Sequence, residues 1–103
     1  MSRVDNARYE TVAASQSNQT LGVSGAKGDY FAGVLIVPAT AAAGAVSIAD
    51  GGGSAITIFA GGATTALPTL APFFVPICAQ SQVGAWTITT GTNVSCIAVG
   101  TFS

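Results

Sequence analysis

The run Gly84-Ala85-Trp86-Thr87-Ile88-Thr89-Thr90-Gly91-Thr92-Asn93-Val94-Ser95-Cys96-Ile97-Ala98-Val99 carries the clearest fold signal in the chain. Trp86 and Ile88 alternate with Thr87 and Thr89, the period of two at which a strand sends side chains to opposite faces. Gly91-Thr92 breaks the pattern, so residues 84–90 and 93–99 read as an antiparallel hairpin. In its second strand Val94, Cys96 and Ala98 alternate with Ser95, Ile97 and Val99, and both faces are expected to be covered. Trp86, inside an alternating strand, is expected in the core rather than as a ligand platform.

Upstream the same grammar repeats. Residues 45–49 and 55–59 alternate Val46-Ser47-Ile48 and Ile56-Thr57-Ile58 around Asp50-Gly51-Gly52-Gly53-Ser54, a second hairpin whose glycines tolerate positive φ. Residues 30–37 form a nearly continuous apolar strand that Pro38 ends or places at an edge. Residues 73–79 resume strand character with Pro76 inside them, which marks an edge strand or a bulge because proline offers no N–H to a ladder. Between these, residues 67–72 (Leu-Pro-Thr-Leu-Ala-Pro) read as a crossing between sheets. Short strands with turn signals at this spacing predict an all-β fold, a small antiparallel β-sandwich or jelly-roll-like barrel over residues 29–103. Residues 1–28, polar and carrying five of the seven charges, read as an extended N-terminal arm or loosely docked strand, with a short helical turn around residues 6–11.

A chain of 103 residues makes one domain with a modest core. From Gly51 to Ser103 it has no charged residue, so half of it must build its surface from Thr, Ser and Gly. Such a surface is poorly protected against association, and its outer faces are expected to rest on other protein. The reading is of an assembly component.

The same composition disfavours other classes. Net charge is −1 and two of the three cations, Arg3 and Arg8, lie in the first ten residues, leaving no basic face for nucleic acid. Residues 30–49 are uncharged and long enough to span a bilayer, but Pro38, Gly33 and Gly44 and the absence of flanking Lys or Arg oppose that. No apolar core of signal-peptide length follows Met1. With no histidine, Ser-His-Asp and Cys-His arrangements are impossible and metal ligands are few. Asp29 and Asp50, the only acids beyond residue 10, sit at a strand start and a turn, where a carboxylate accepting backbone N–H groups is expected. Gly22–Gly28 lacks the Gly-Lys-Ser/Thr ending of a phosphate loop. No enzyme activity and no cofactor are expected. Cys78 and Cys96, each in an apolar run, are expected as buried free thiols. Phe73-Phe74 puts consecutive rings on opposite faces of a strand, which makes the outward ring a subunit-interface candidate.

Leu21-Gly22 before Gly25-Ala26-Lys27-Gly28-Asp29-Tyr30, then Leu35-Ile36-Val37-Pro38, Gly44-Ala45-Val46-Ser47-Ile48, Ile56-Thr57-Ile58-Phe59-Ala60-Gly61-Gly62 and Gly84-Ala85-Trp86 together resemble small all-β virion proteins of tailed bacteriophages, over roughly residues 21–99. Within that group the size and composition are most similar to capsid decoration, or cement, proteins. The resemblance implies a protein made in the host bacterial cytoplasm that binds the outer surface of the virion head, often as a homotrimer, with the major capsid protein as partner, and reinforces capsomer junctions. It brings no catalytic residue. In this reading the sandwich forms the oligomer while Arg3, Arg8, Tyr9 and Glu10 of the arm contact the capsid, and removal of residues 1–20 leaves a folded domain. The alternative is a head-fibre or tail-fibre module binding a host glycan through the Trp86 strand and the loop of residues 50–54.

Overall fold

The computed structural model describes residues 8–40, 43–61 and 72–102. Eight strands follow in chain order: β1 (Arg8–Val12), β2 (Gln19–Thr20), β3 (Tyr30–Pro38), β4 (Val46–Asp50), β5 (Ile56–Phe59), β6 (Phe73–Gln80), β7 (Trp86–Thr90) and β8 (Val94–Thr101). They form two four-stranded antiparallel sheets, ordered β1-β8-β3-β6 and β2-β7-β4-β5. The first strand pairs with the eighth, the second with the seventh, the third with the sixth and the fourth with the fifth. This is one long hairpin folded at β4–β5 and rolled so that its successive pairs fall alternately in the two sheets. The result is a jelly-roll sandwich.

Alternation fills the space between the sheets. Val12, Phe31, Val34, Ile36, Val94, Cys96 and Ala98 from the first sheet meet Val46, Ile48, Trp86 and Ile88 from the second. Phe31 sits at the centre of an aromatic cluster, edge-on to Trp86 (centroids 5.3 Å) and to Phe102 (5.4 Å). Trp86 is thus a core residue, as its alternation predicts, and its indole N–H donates to the Asp29 carbonyl at 3.0 Å. A buried indole needs such an acceptor.

Both proline-marked positions behave as edge chemistry requires. Pro38 is the last residue of β3, and Pro76 lies in β6, the edge strand of the first sheet. Two residues of β6, Ile77 and Cys78, stand opposite the single Ala32 between the pairs Gly33↔Pro76 and Phe31↔Ala79. Cys78 takes φ 56° in this bulge. The β7–β8 turn packs against the segment entering β4: Gly91 N–H donates to Ala45 O and Gly44 N–H to Thr92 O, each at 2.8 Å. A Cβ on Gly91 would fall 2.8 Å from Gly44 Cα, so this crossing requires glycine.

The N-terminal segment differs from expectation. Residues 8–12 form a strand paired along its length with β8, with no helical turn over residues 8–11, and β2 joins the other sheet. Val12 and Leu21 are fully buried, and the Thr90 hydroxyl donates to Ala13 O at 2.7 Å. Residues 8–28 are therefore part of the sandwich, and removing residues 1–20 would take away one edge of each sheet. The expected crossing at residues 67–71 lies outside the described residues.

Candidate contact site

Arg8, Glu10 and Val12 stand opposite Gly100, Ala98 and Cys96, the inward-facing row of β8, so they point toward the second sheet. Val12 reaches the core, while Glu10, one turn of the pleat nearer the edge, meets backbone. Its Oε1 accepts the Gly22 N–H and its Oε2 the Gln19 side-chain amide, both at 2.7 Å. One carboxylate thus bridges the edge strand of the first sheet to the chain at the edge of the second. Both oxygens are engaged, which gives Glu10 a structural task beside any contact it makes.

Beyond Glu10 the sheets splay into an open cleft of about 270 Å³ lined by Arg8, Tyr9, Glu10, Gly22, Val23 and Phe102. Tyr9 is 74% exposed and Val23 98% exposed. The cleft lies beside Arg8 and Glu10 over a mostly buried Phe102, with exposed Val23 at its rim, while the Tyr9 side chain leaves β1 on the outer side, opposite Val99. The structure brings Arg8, Tyr9 and Glu10 together here; Arg3 lies outside the described residues. Sequence reading did not find Val23 and Gly22 as their neighbours, because only the fold back from β2 places them there.

Phe73 and Phe74 lie on opposite faces of β6. Phe73 stands opposite Ile36, on the inner side, and meets Phe59 edge-on at 5.4 Å, closing the sandwich between the edge strands β5 and β6. Phe74 stands opposite Leu35 on the outer face and is half exposed. Phe74 is the outward ring of the pair.

The isolated carboxylates have local partners. Asp29 closes its own turn, accepting the Ala26 N–H at 3.0 Å. Asp50 accepts the backbone N–H groups of Gln82, Val83 and Gly84 at 2.8, 3.2 and 3.2 Å, tying the β4–β5 turn to the β6–β7 loop. Partial burial pushes its carboxyl up, but the three N–H donors outweigh that and hold it below the ordinary value. Of the places named for a glycan site, Trp86 lies in the core and the Asp50 carboxylate is occupied by backbone amides, while Gly52, Gly53 and Ser54 of the same loop are exposed.

The thiols are free but unequal. Cys96 is buried, and burial pushes its pKa up to about 12. Cys78 is exposed, against the expectation of burial, because it stands on the outward row of edge strand β6 with Phe74 and Pro76, while Val75, Ile77 and Ala79 pack inward. It bonds the Tyr30 hydroxyl, the first of the effects raising that phenol, ahead of desolvation and the thiol's own charge. Among the described residues no group of three His, Cys, Asp or Glu is placed to hold a metal ion, and no helix is long and apolar enough to cross a membrane.

The fold is a small all-β jelly-roll sandwich with an open cleft beside its edge strand β1. Comparison with known proteins finds no matching family model, no matching curated protein and no matching solved structure.

Proposed function

We propose that this chain is a structural virion protein of a tailed bacteriophage, a capsid decoration protein that binds the outer head surface through the β1 cleft and stabilises capsomer junctions. The observation that carries the reading is the open cleft lined by Arg8 and exposed Val23, with exposed Tyr9 on the other side of the same edge strand, on a domain almost without charge. The jelly roll itself supports it by analogy, since viral capsid domains commonly take this architecture, and lectin domains do too. Of those two, the capsid reading is favoured here because Trp86 is buried and Asp50 is bonded internally. Many copies on one head give multivalent attachment from individually weak contacts.

The test is co-sedimentation of the purified chain with empty heads of the phage that encodes it. Deletion of residues 1–20 is the wrong variant, because it removes buried Val12 and the β1 pairing. Arg8→Glu and Tyr9→Ala change exposed side chains and should leave the fold intact while abolishing co-sedimentation. Wild-type protein that stays in the supernatant overturns the proposal.

A further inference from the structure

The two sheets present opposite kinds of outer face, although both are drawn from the same charge-poor alphabet. On the second sheet, Thr57, Ser47 and Thr89 lie side by side across β5, β4 and β7, a row of hydroxyls suited to water. The equivalent row on the first sheet, across β1, β8, β3 and β6, is Thr11, Ile97, Leu35 and Phe74. Tyr9 beside Val99 continues it one pleat further along. The hydroxyl row shows how this chain builds a solvated face, and the aliphatic face is built otherwise. An antiparallel sheet with one face on the core normally keeps its other face polar.

We propose that the outer face of the β1-β8-β3-β6 sheet is the surface through which copies of this chain associate, face to face. The face has no charged side chain: Arg8 and Glu10, the charged residues of its strands, share the inward row with Val12. A charged partner would find nothing to pair with, whereas a second copy brings no like charge against it. The strands are 5, 8, 9 and 8 residues long. At the usual strand spacing and rise they cover about 500 Å² in projection. That is more than half of the ~800 Å² that each partner contributes to a stable interface. It stands in the upper part of the roughly 300–600 Å² range of a monomer's largest apolar patch, a patch that is often functional. Two such sheets can pack aligned about 10 Å apart, as sandwich sheets do, and a two-fold axis makes the face its own complement.

From the proposed function this takes only that the chain works as an assembly component, and its test needs no phage head. Light scattering over a wide range of protein concentration should give the wild-type chain a multiple of the single-chain mass. Ile97→Lys, at the centre of the face, should reduce it to the single-chain mass with an unchanged far-ultraviolet circular dichroism spectrum. Thr11→Lys, at the exposed rim, guards against a folding defect in the first variant and should raise the dissociation constant at least tenfold. Ser47→Lys, on the hydroxyl face, should change nothing. Wild-type protein at the single-chain mass throughout, a Thr11→Lys oligomer as tight as wild type, or dissociation by Ser47→Lys overturns the proposal. An oligomer that Ile97→Lys dissociates but that never binds heads removes the capsid reading and leaves this interface standing.

Discussion

Gly33 on β3 lies beneath the ring of Phe74 on β6. A Cβ built on Gly33 would stand 2.7 Å from Phe74 Cε2 and 2.8 Å from the Val75 carbonyl oxygen. Glycine leaves the space that the ring fills, and the half-exposed ring covers backbone that would otherwise be bare. Gly33→Ala should therefore displace the ring and destabilise the domain by about 1–3 kcal/mol, as overpacking does. Thermal denaturation of Gly33→Ala, Phe74→Ala and the double variant measures this. The alanine at residue 33 should cost less once the ring is gone, leaving only the clash with Val75 O.

Trp86→Phe keeps the ring contact with Phe31 and removes the N–H that donates to Asp29 O. That carbonyl also accepts the Ser81 N–H at 2.9 Å, so it is not left bare. The expected loss is accordingly toward the low end for a buried hydrogen bond, about 1 kcal/mol, read as a shift in the urea midpoint without a change in slope.

Asp50 predicts an acid dependence. Its carboxyl is held below the ordinary value in the folded state, so its stabilisation is fully present above the unfolded pKa of about 3.9. That contribution is lost as pH falls through the depressed folded value. Stability measured from neutral to strongly acid pH should fall on the acid side in the wild type and more shallowly in Asp50→Asn. Equal acid limbs in the two proteins would show that the Gln82–Gly84 amides do not depend on the carboxylate's charge.

Thiol titration separates the two cysteines. Under native conditions a disulfide reagent should modify Cys78 alone, since Cys96 is buried with its pKa near 12. Cys96 should react only at the rate of unfolding, and Cys78→Ser should abolish the fast phase. Two fast equivalents would contradict the packing of β8.

How far the sequence reveals this molecule depends on the distance over which each feature is encoded. The β4–β5 hairpin was legible because alternation and a glycine turn are local signals. Residues 84–90 and 93–99 were legible as strands, but the hairpin expected of them is not formed: β7 pairs with β2 and β4 in one sheet and β8 with β1 and β3 in the other, so Gly91-Thr92 passes the chain between the sheets, and no local pattern distinguishes such a turn from a hairpin turn. Residues 8–12 were read only as an arm or a loosely docked strand, short of their full pairing with β8, because the inward row contains Arg8 and Glu10, charges that look solvent-facing until Gly22 and Gln19 are seen to donate to the carboxylate. Cys78 was misplaced because it was read from its apolar run and not from its place in the alternation: Val75, Ile77 and Ala79 pack inward, and Cys78 falls on the outward row with Phe74 and Pro76. In the contact site Tyr9 was readable as a candidate, whereas Val23 was not, because its nearness to β1 depends on pairing across the whole fold. The apolar character of both faces of β8 was legible; within the described chain only one of those faces is covered.

The nesting of β1 with β8 and of β3 with both β8 and β6 has a kinetic consequence. A ribosome delivers β8 after the other seven strands, yet β8 occupies an interior position in the first sheet, between β1 and β3. Until it arrives, β1 has no partner and one side of β3 stays open. The β4–β5 hairpin can close early at small entropic cost, but completion must wait for pairings that span nearly the whole chain, which places folding in the slow regime of milliseconds to seconds. During that interval the aliphatic rows of β3 and β6 are bare on both sides. The nascent chain is then at its most exposed to aggregation, and a chaperone that shields it at this stage should raise the yield of folded protein.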